Sequence, residues 1–371
     1  MKPKKILFVL VIALVAVLFS GCSGRGFNNS WPGLASDGEY AYLAAGQYVY
    51  AVRLSDGSEA WRYPEKASNS LQFIAQPVVA PDGTIVIGSA GNDRRLVALD
   101  PSDLSGSDIK TPAEKWTFSG ASSSWVAGVL ILDDKIFAPN SDGTLYVLDL
   151  QDGFSTKSAL KEIDLGGTIW AQPSTDGNLV YVSSVDHYLY AIDPETYEFA
   201  WPAIDLGGAA PGTPLVGPGG NIYIGSFTSE VVEVDPATGT STLLTSTQGG
   251  VWGGPVTDGT NVYFGDLQGN LFAFDASSNN QLWTNKPDDS VVGSPLVIND
   301  TIVFVTESGT VYARTPDGTP AWQLDVGGQI YTSPVESADL VLFAPMGADF
   351  LLYAYPADGA SNNPTWTFPT Q

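Results

Sequence analysis

A short phrase recurs along this chain, and it constrains the fold more than any single residue does. One copy reads Asp176-Gly177-Asn178-Leu179-Val180-Tyr181-Val182, then Tyr188-Leu189-Tyr190-Ala191-Ile192-Asp193, then Trp201. Another reads Asp258-Gly259-Thr260-Asn261-Val262-Tyr263-Phe264, then Asn270-Leu271-Phe272-Ala273-Phe274-Asp275, then Trp283. Each is a turn, an apolar run of β type, a second run ending in Asp, and a Trp. Such a unit buries its flanks only against its neighbours, so the period of repetition sets the architecture.

Eight second runs can be counted, at 48–52, 95–99, 145–148, 189–192, 231–234, 271–274, 311–314 and 351–355. The period is roughly 44 residues, which suits a four-stranded propeller blade. Each unit offers four strand candidates. The first is short and follows a Pro or small residue, as in Pro255-Val256. The second follows the Asp–Gly turn, the third ends in Asp, and the fourth carries Trp61, Trp116, Trp201, Trp283, Trp322 or Trp366. Two units have Ile163 and Leu243 or Leu244 in place of that Trp. Helical periodicity is nearly absent and turn dipeptides are dense. The expected fold is all-β, an eight-bladed β-propeller of four-stranded antiparallel blades.

The phase of the repeat bears on ring closure. Trp31-Pro32-Gly33-Leu34-Ala35 matches a first strand (compare Trp252-Gly253-Gly254-Pro255-Val256), and Thr365-Trp366-Thr367-Phe368 matches a fourth. Whole blades are expected, with no strand lent across the seam. First and last blades would then meet by face packing alone, and opening is expected to start there. The swollen second unit, 101–114, reads as a surface loop.

The first residues form a targeting segment. Lys2, Lys4 and Lys5 precede an unbroken apolar run, 6–19. That run falls short of the ~20 residues that span a bilayer, and it has the layout of a secretory signal. It ends Leu18-Phe19-Ser20-Gly21-Cys22, which resembles a bacterial lipobox, with Phe19 where Leu or a small aliphatic is usual. The resemblance implies cleavage before Cys22 and lipidation of its thiol. The domain reading is a signal peptide over 1–21, a lipidated Cys and flexible tether over 22–30, and the propeller over 31–371. The product is an exported, membrane-anchored lipoprotein. It is periplasmic or outer-membrane in a cell with two membranes, and on the outer face of the cytoplasmic membrane in a cell with one.

Cys22 is the only Cys, so no intrachain disulfide, Cys metal site or thiol nucleophile can form. Removing 1–21 takes away three basic residues, leaving 13 Lys plus Arg against 40 Asp plus Glu, a net charge of −27. That surface repels phosphate backbones, which excludes nucleic acid as a partner. It also repels anionic headgroups, so the membrane tether is the lipid on Cys22.

Leu189-Tyr190-Ala191-Ile192-Asp193, Val234-Asp235-Pro236-Ala237-Thr238-Gly239 and Ala321-Trp322 resemble the repeat of the pyrroloquinoline-quinone-type β-propellers, a Tyr-Ala-Leu-Asp run, then Thr-Gly, then Trp. The resemblance covers 31–371. It implies that the fourth-strand Trp residues dock neighbouring blades. One branch of the family comprises quinoprotein dehydrogenases, with quinone and calcium at the ring centre. The other comprises non-catalytic lipoproteins of outer-membrane β-barrel assembly. Length, lipobox and eight plain repeats are similar to the second branch. That branch starts with a Trp-bearing strand completing its last blade, whereas here the strand is C-terminal.

Residues for chemistry are scarce. The adjacent cysteines usual beside the quinone cannot exist here, and Cys-x-x-Cys-His is absent. His187 is the only His. Asp186 could orient it, and the plainer reading is a solvated loop residue. The Asp–Gly pairs are turns rather than calcium loops, since no Asp-x-Asp-x-Asp run occurs. No cofactor and no metal are expected, neither the quinone nor calcium.

Trp31, Trp170 and Trp252 share one place, three before the Pro or its equivalent that opens a first strand. Trp125 falls within one residue of it, and Tyr331 fits it. The loops between second and third strands, on the same face, hold Asn92, Asp93, Asn140, Asp142, Asp186, His187, Asp266, Gln268 and Glu307. One channel mouth is therefore expected to mix aromatics with acids and amides, a surface suited to protein, peptide or sugar. The other reading makes these Trp residues buried wedges between blades. The functional expectation is a non-enzymatic, monomeric propeller that scaffolds protein partners at the cell envelope. The alternative is a quinone-dependent dehydrogenase-like or carbohydrate-binding propeller using that mouth.

Overall fold

Short apolar runs punctuated by turns bury both faces only by stacking sheet on sheet. The computed structural model describes residues 31–151 and 158–370. The expected signal segment, Cys22 and the tether lie outside the described residues. Eight four-stranded sheets follow one another, each built from four consecutive strands, all pairing antiparallel as in Tyr40–Ala45 with Tyr48–Arg53. First strands touch between blades 1 and 2, 4 and 5, 6 and 7, and 7 and 8, and Gly33–Ser36 of blade 1 meets Val335–Ser337 of blade 8. The ring closes as an eight-bladed all-β propeller of whole blades, with no shared strand.

The core lies between blades. Tyr181, Leu189, Ala191 and Trp201 of blade 4 pack against Ile222, Ile224 and Val234 of blade 5. Second strands are covered on both faces, so Val180–Ser183 and Ile222–Gly225 are buried throughout. Strict alternation is lost for that reason.

The repeated Asp–Gly turn has a specific partner. Asp37, Asp176 and Asp258 each accept two backbone N–H bonds inside their turns. Each also accepts the hydroxyl of the Tyr five residues on, at 2.6 Å (Tyr42), 2.9 Å (Tyr181) and 2.7 Å (Tyr263). Burial alone would raise the Asp176 and Asp258 carboxyls. These donors outweigh it and hold both below the ordinary value. Burial and the facing carboxylate push the tyrosines up.

Neighbouring blades share one clasp. The indole N–H of a fourth-strand Trp donates to the carbonyl just after the next blade's third strand. The pairs are Trp116 to Leu150 (3.0 Å), Trp201 to Pro236 (3.3 Å), Trp283 to Pro316 (2.7 Å) and Trp366 to Leu54 (2.7 Å). The ring lies on the turn that follows. At Gly57 a Cβ would come within 2.8 Å of the Trp366 ring, and φ is +72° there, so glycine is required twice over. Trp322 meets Gly359 in the same manner, without an indole hydrogen bond. Trp61 is buried against Tyr42 of its own blade. Trp201 precedes its short strand, Ile204–Asp205, rather than lying in it.

Where the Trp is missing, another donor reaches the equivalent carbonyl. Lys135 Nζ donates to Pro194 O at 2.9 Å, and the Tyr223 hydroxyl to Ala276 O at 3.5 Å. Glu233, buried beside Tyr223, also accepts from Asn279 of the next blade at 2.6 Å. The last-to-first seam, expected to rest on face packing alone, carries the full Trp366 clasp and a Ser36–Ser337 hydroxyl bond of 2.6 Å. The segment expected as a surface loop is instead a hairpin. Strands Leu96–Ser105 and Thr111–Phe118 extend past the blade and pair Leu104 with Pro112 and Ser105 with Thr111. The Arg62 amide of blade 1 donates to Lys110 O of this hairpin at 3.0 Å.

Candidate functional site

The connection from each fourth strand to the next first strand lines the channel, and one of its positions recurs there in every blade. The series is Trp31, Ile74, Val126, Trp170, Pro211, Trp252, Val292 and Tyr331. Backbone alternation sends the preceding residue the other way, between blades. Phe73, Trp125, Ile169, Ala210, Val251, Val291 and Ile330 are all at most 1% exposed. Trp125 therefore belongs to the wedges and not to the mouth. A Cβ on Gly88 would sit 2.2 Å from Trp125 Cβ, just as Gly265 abuts Val291. Phe118 and Tyr146 close around its ring. Trp31, Trp170, Trp252 and Tyr331 remain half-buried and line the channel. The two readings of the Trp series thus divide residue by residue.

These rings meet across the pore. Trp31 of blade 1 contacts Trp252 of blade 6 edge-on at 5.2 Å and stacks on Tyr331 of blade 8 at 5.3 Å. Trp252 stacks toward Trp170 of blade 4 at 6.4 Å. Phe227, which the repeat pattern did not single out, packs on Trp252 at 5.4 Å. It sits second in its loop, the slot of Val185, Leu267 and Glu307, and that slot was the available signal. In each case this residue's amide bonds a carbonyl of the mouth connection, as Phe227 N does to Ala209 O at 2.8 Å. Below the rings lies a cavity of about 310 Å³ with Gln76, Gln172, Thr213, Ser294, Thr332 and Ser333 in its walls.

The acids of the mouth loops are occupied in holding the loops. Asp142 accepts from Ser122 N, Thr144 N and the Tyr146 hydroxyl. Burial raises its carboxyl, and those bonds more than offset the effect and lower it. Asp186 accepts from Tyr188 N and from Tyr190 OH at 2.9 Å, so it does not orient His187. His187 is half-exposed with φ +86°, at the turn position that Gly143, Gly269 and Gly309 fill elsewhere. Asp266 is fully buried and accepts from Gln248 N, Gly249 N, Gln268 N and Asn270. Gln268 itself is exposed. Glu307 reaches the aromatics, accepting the Tyr331 hydroxyl at 2.8 Å. Burial and then that carboxylate push the Tyr331 hydroxyl up. Asn140 is buried, and Asn92 and Asp93 sit farther out, Asp93 paired with Arg95 at 3.3 Å.

No group of three or more His, Cys, Asp or Glu among the described residues could hold a metal ion. Among the described residues, the channel lining contains no carboxylate, imidazole, ammonium or guanidinium. Calcium needs six to eight oxygens, several of them anionic. The residues present do not fit a calcium-bound quinone at the ring centre.

A family of outer-membrane protein assembly factors, described as outer membrane protein assembly factor BamB, matches residues 28–242 and 240–345. The chain belongs to that family. It is a propeller of the pyrroloquinoline-quinone-like repeat type that resembles BamB. Among solved structures, BamB from Moraxella catarrhalis is 23% identical, with a TM-score of 0.65. The match covers 92% of this chain and 95% of that one. A computationally designed protein, Ika8, is 14% identical with a TM-score of 0.72, over 89% of this chain and 97% of that one. Likeness at these identities speaks for the fold alone. No curated protein matches.

Proposed function

We propose that this BamB-family propeller is a lipid-anchored envelope scaffold that holds protein partners during outer-membrane protein assembly and catalyses no reaction. Family membership supports the setting, and the Cys22 motif supports export and anchoring. The observation that carries the reading is the chemistry of the mouth. Half-buried aromatics, amides and hydroxyls converge there, and among the described residues no carboxylate, imidazole or ammonium group lines the channel to activate those hydroxyls. Rigid amphipathic rings with adaptable polar neighbours suit protein contact.

The test is a strain lacking this chain. Folded outer-membrane proteins, counted by their heat-modifiable mobility on gels, are expected to fall and to recover with the wild-type copy. Unchanged levels contradict the scaffold reading. Dye reduction by purified protein supplied with quinone, calcium and an alcohol contradicts the non-catalytic part. The indoles and amides also favour a second reading, a neutral saccharide in the channel. A melting shift with uncharged glycans, and none with a protein partner, would select it.

A further inference from the structure

The described chain begins in the channel mouth, since Trp31 stacks on Tyr331 and meets Trp252 across the pore. Resting on the Cys22 anchor proposed above, we propose that this aromatic mouth is the membrane-proximal face of the propeller. Nine peptide links separate Cys22 from Trp31. However they run, they span at most about 32 Å. For the opposite face to meet the bilayer, that segment would have to pass outward over the rim and then across a blade's depth. Four strands about 4.8 Å apart place the outermost about 15 Å beyond the innermost, before side chains are added. A six-residue strand such as Tyr40–Ala45 adds about 20 Å of depth, before loops. With side chains and turns the path is about 40 Å, longer than the segment can reach. The mouth face can approach the lipid, and the face carrying the Asp37, Asp176 and Asp258 turns cannot.

Charge then sets how close the mouth comes. A mature chain of net charge −27 is repelled by anionic headgroups. The mouth therefore stands off within its tether length rather than lying flat.

The experiment uses full-length lipid-modified protein on phosphatidylethanolamine–phosphatidylglycerol vesicles. Lipidation blocks Cys22, so an introduced cysteine is the only free thiol. Asn92→Cys lies in an exposed mouth-face loop, and Thr260→Cys in an exposed turn of the opposite face. Each is labelled with a donor dye, and energy transfer to a headgroup-labelled lipid is read. Transfer at least threefold stronger from position 92 is expected. Equal or reversed transfer from vesicle-bound protein overturns the orientation while leaving the anchor intact. Failure of the wild type to float with vesicles, or flotation undiminished in Cys22→Ala, overturns the anchor and the orientation with it.

Discussion

Trp125 and Trp170 show how one step along the backbone changes what a residue is for. Trp125 is fully buried between blades, whereas Trp170 is half-exposed in the channel. Trp125→Ala leaves a large void and should cost about 3–5 kcal/mol, read by chemical denaturation. Trp170→Ala loses one aromatic contact at a partly solvated site and should cost about 1 kcal/mol or less. Aligning Trp125-Val126-Ala127-Gly128 with Val251-Trp252-Gly253-Gly254 reveals the one-residue offset that separates the two. Composition alone does not, because both are Trp beside small residues. The Tyr181–Asp176 bond is local and recurrent, so Tyr181→Phe should cost about 1–1.5 kcal/mol without changing the fold.

Apolar packing joins all the blades, and most seams add an indole or its substitute to it, which gives each seam its own strength. Trp366→Ala removes the clasp on Leu54 and Gly57 at the closure of the ring. Amide exchange in Tyr40–Ala45 and Leu340–Phe343 should rise about tenfold or more, with blades 4 and 5 unchanged. Uniform acceleration would show instead that the ring opens as one unit. The strands themselves were legible in the sequence, since all eight second runs fall on third strands of blades. The hairpin beyond Asp100 was not. Its residues 102–106 are exposed, and Leu104 is the one apolar side chain among them, so no apolar alternation marks them as strand. The clasp donors Lys135 and Tyr223 were equally hidden. They lie on second strands, far in sequence from the carbonyls they reach.

At the scale of the whole molecule, an acidic surface and depressed carboxyls pull stability in opposite directions with pH. Asp142, Asp176 and Asp258 titrate below their ordinary value, and Asp82 is lowered to about 2. At Asp82, burial opposes the shift, and bonds from Thr84 and Lys115 outweigh it. A lowered folded value means stability present above pH ~4 and lost as pH falls toward 2. Between pH 7 and ~4.5, protonation of other acids relieves self-repulsion and should raise the melting temperature. A melting curve that rises and then drops steeply below pH ~4 is expected; a monotonic fall from pH 7 would contradict this balance.

The assignment of the mouth as a working surface is open to one direct measurement. The Trp170→Ala/Trp252→Ala double variant is expressed in the strain lacking this chain, and folded outer-membrane proteins are counted. The protein should remain a folded propeller by circular dichroism yet fail to restore those levels. Full restoration by the folded variant would contradict a role for the aromatic mouth.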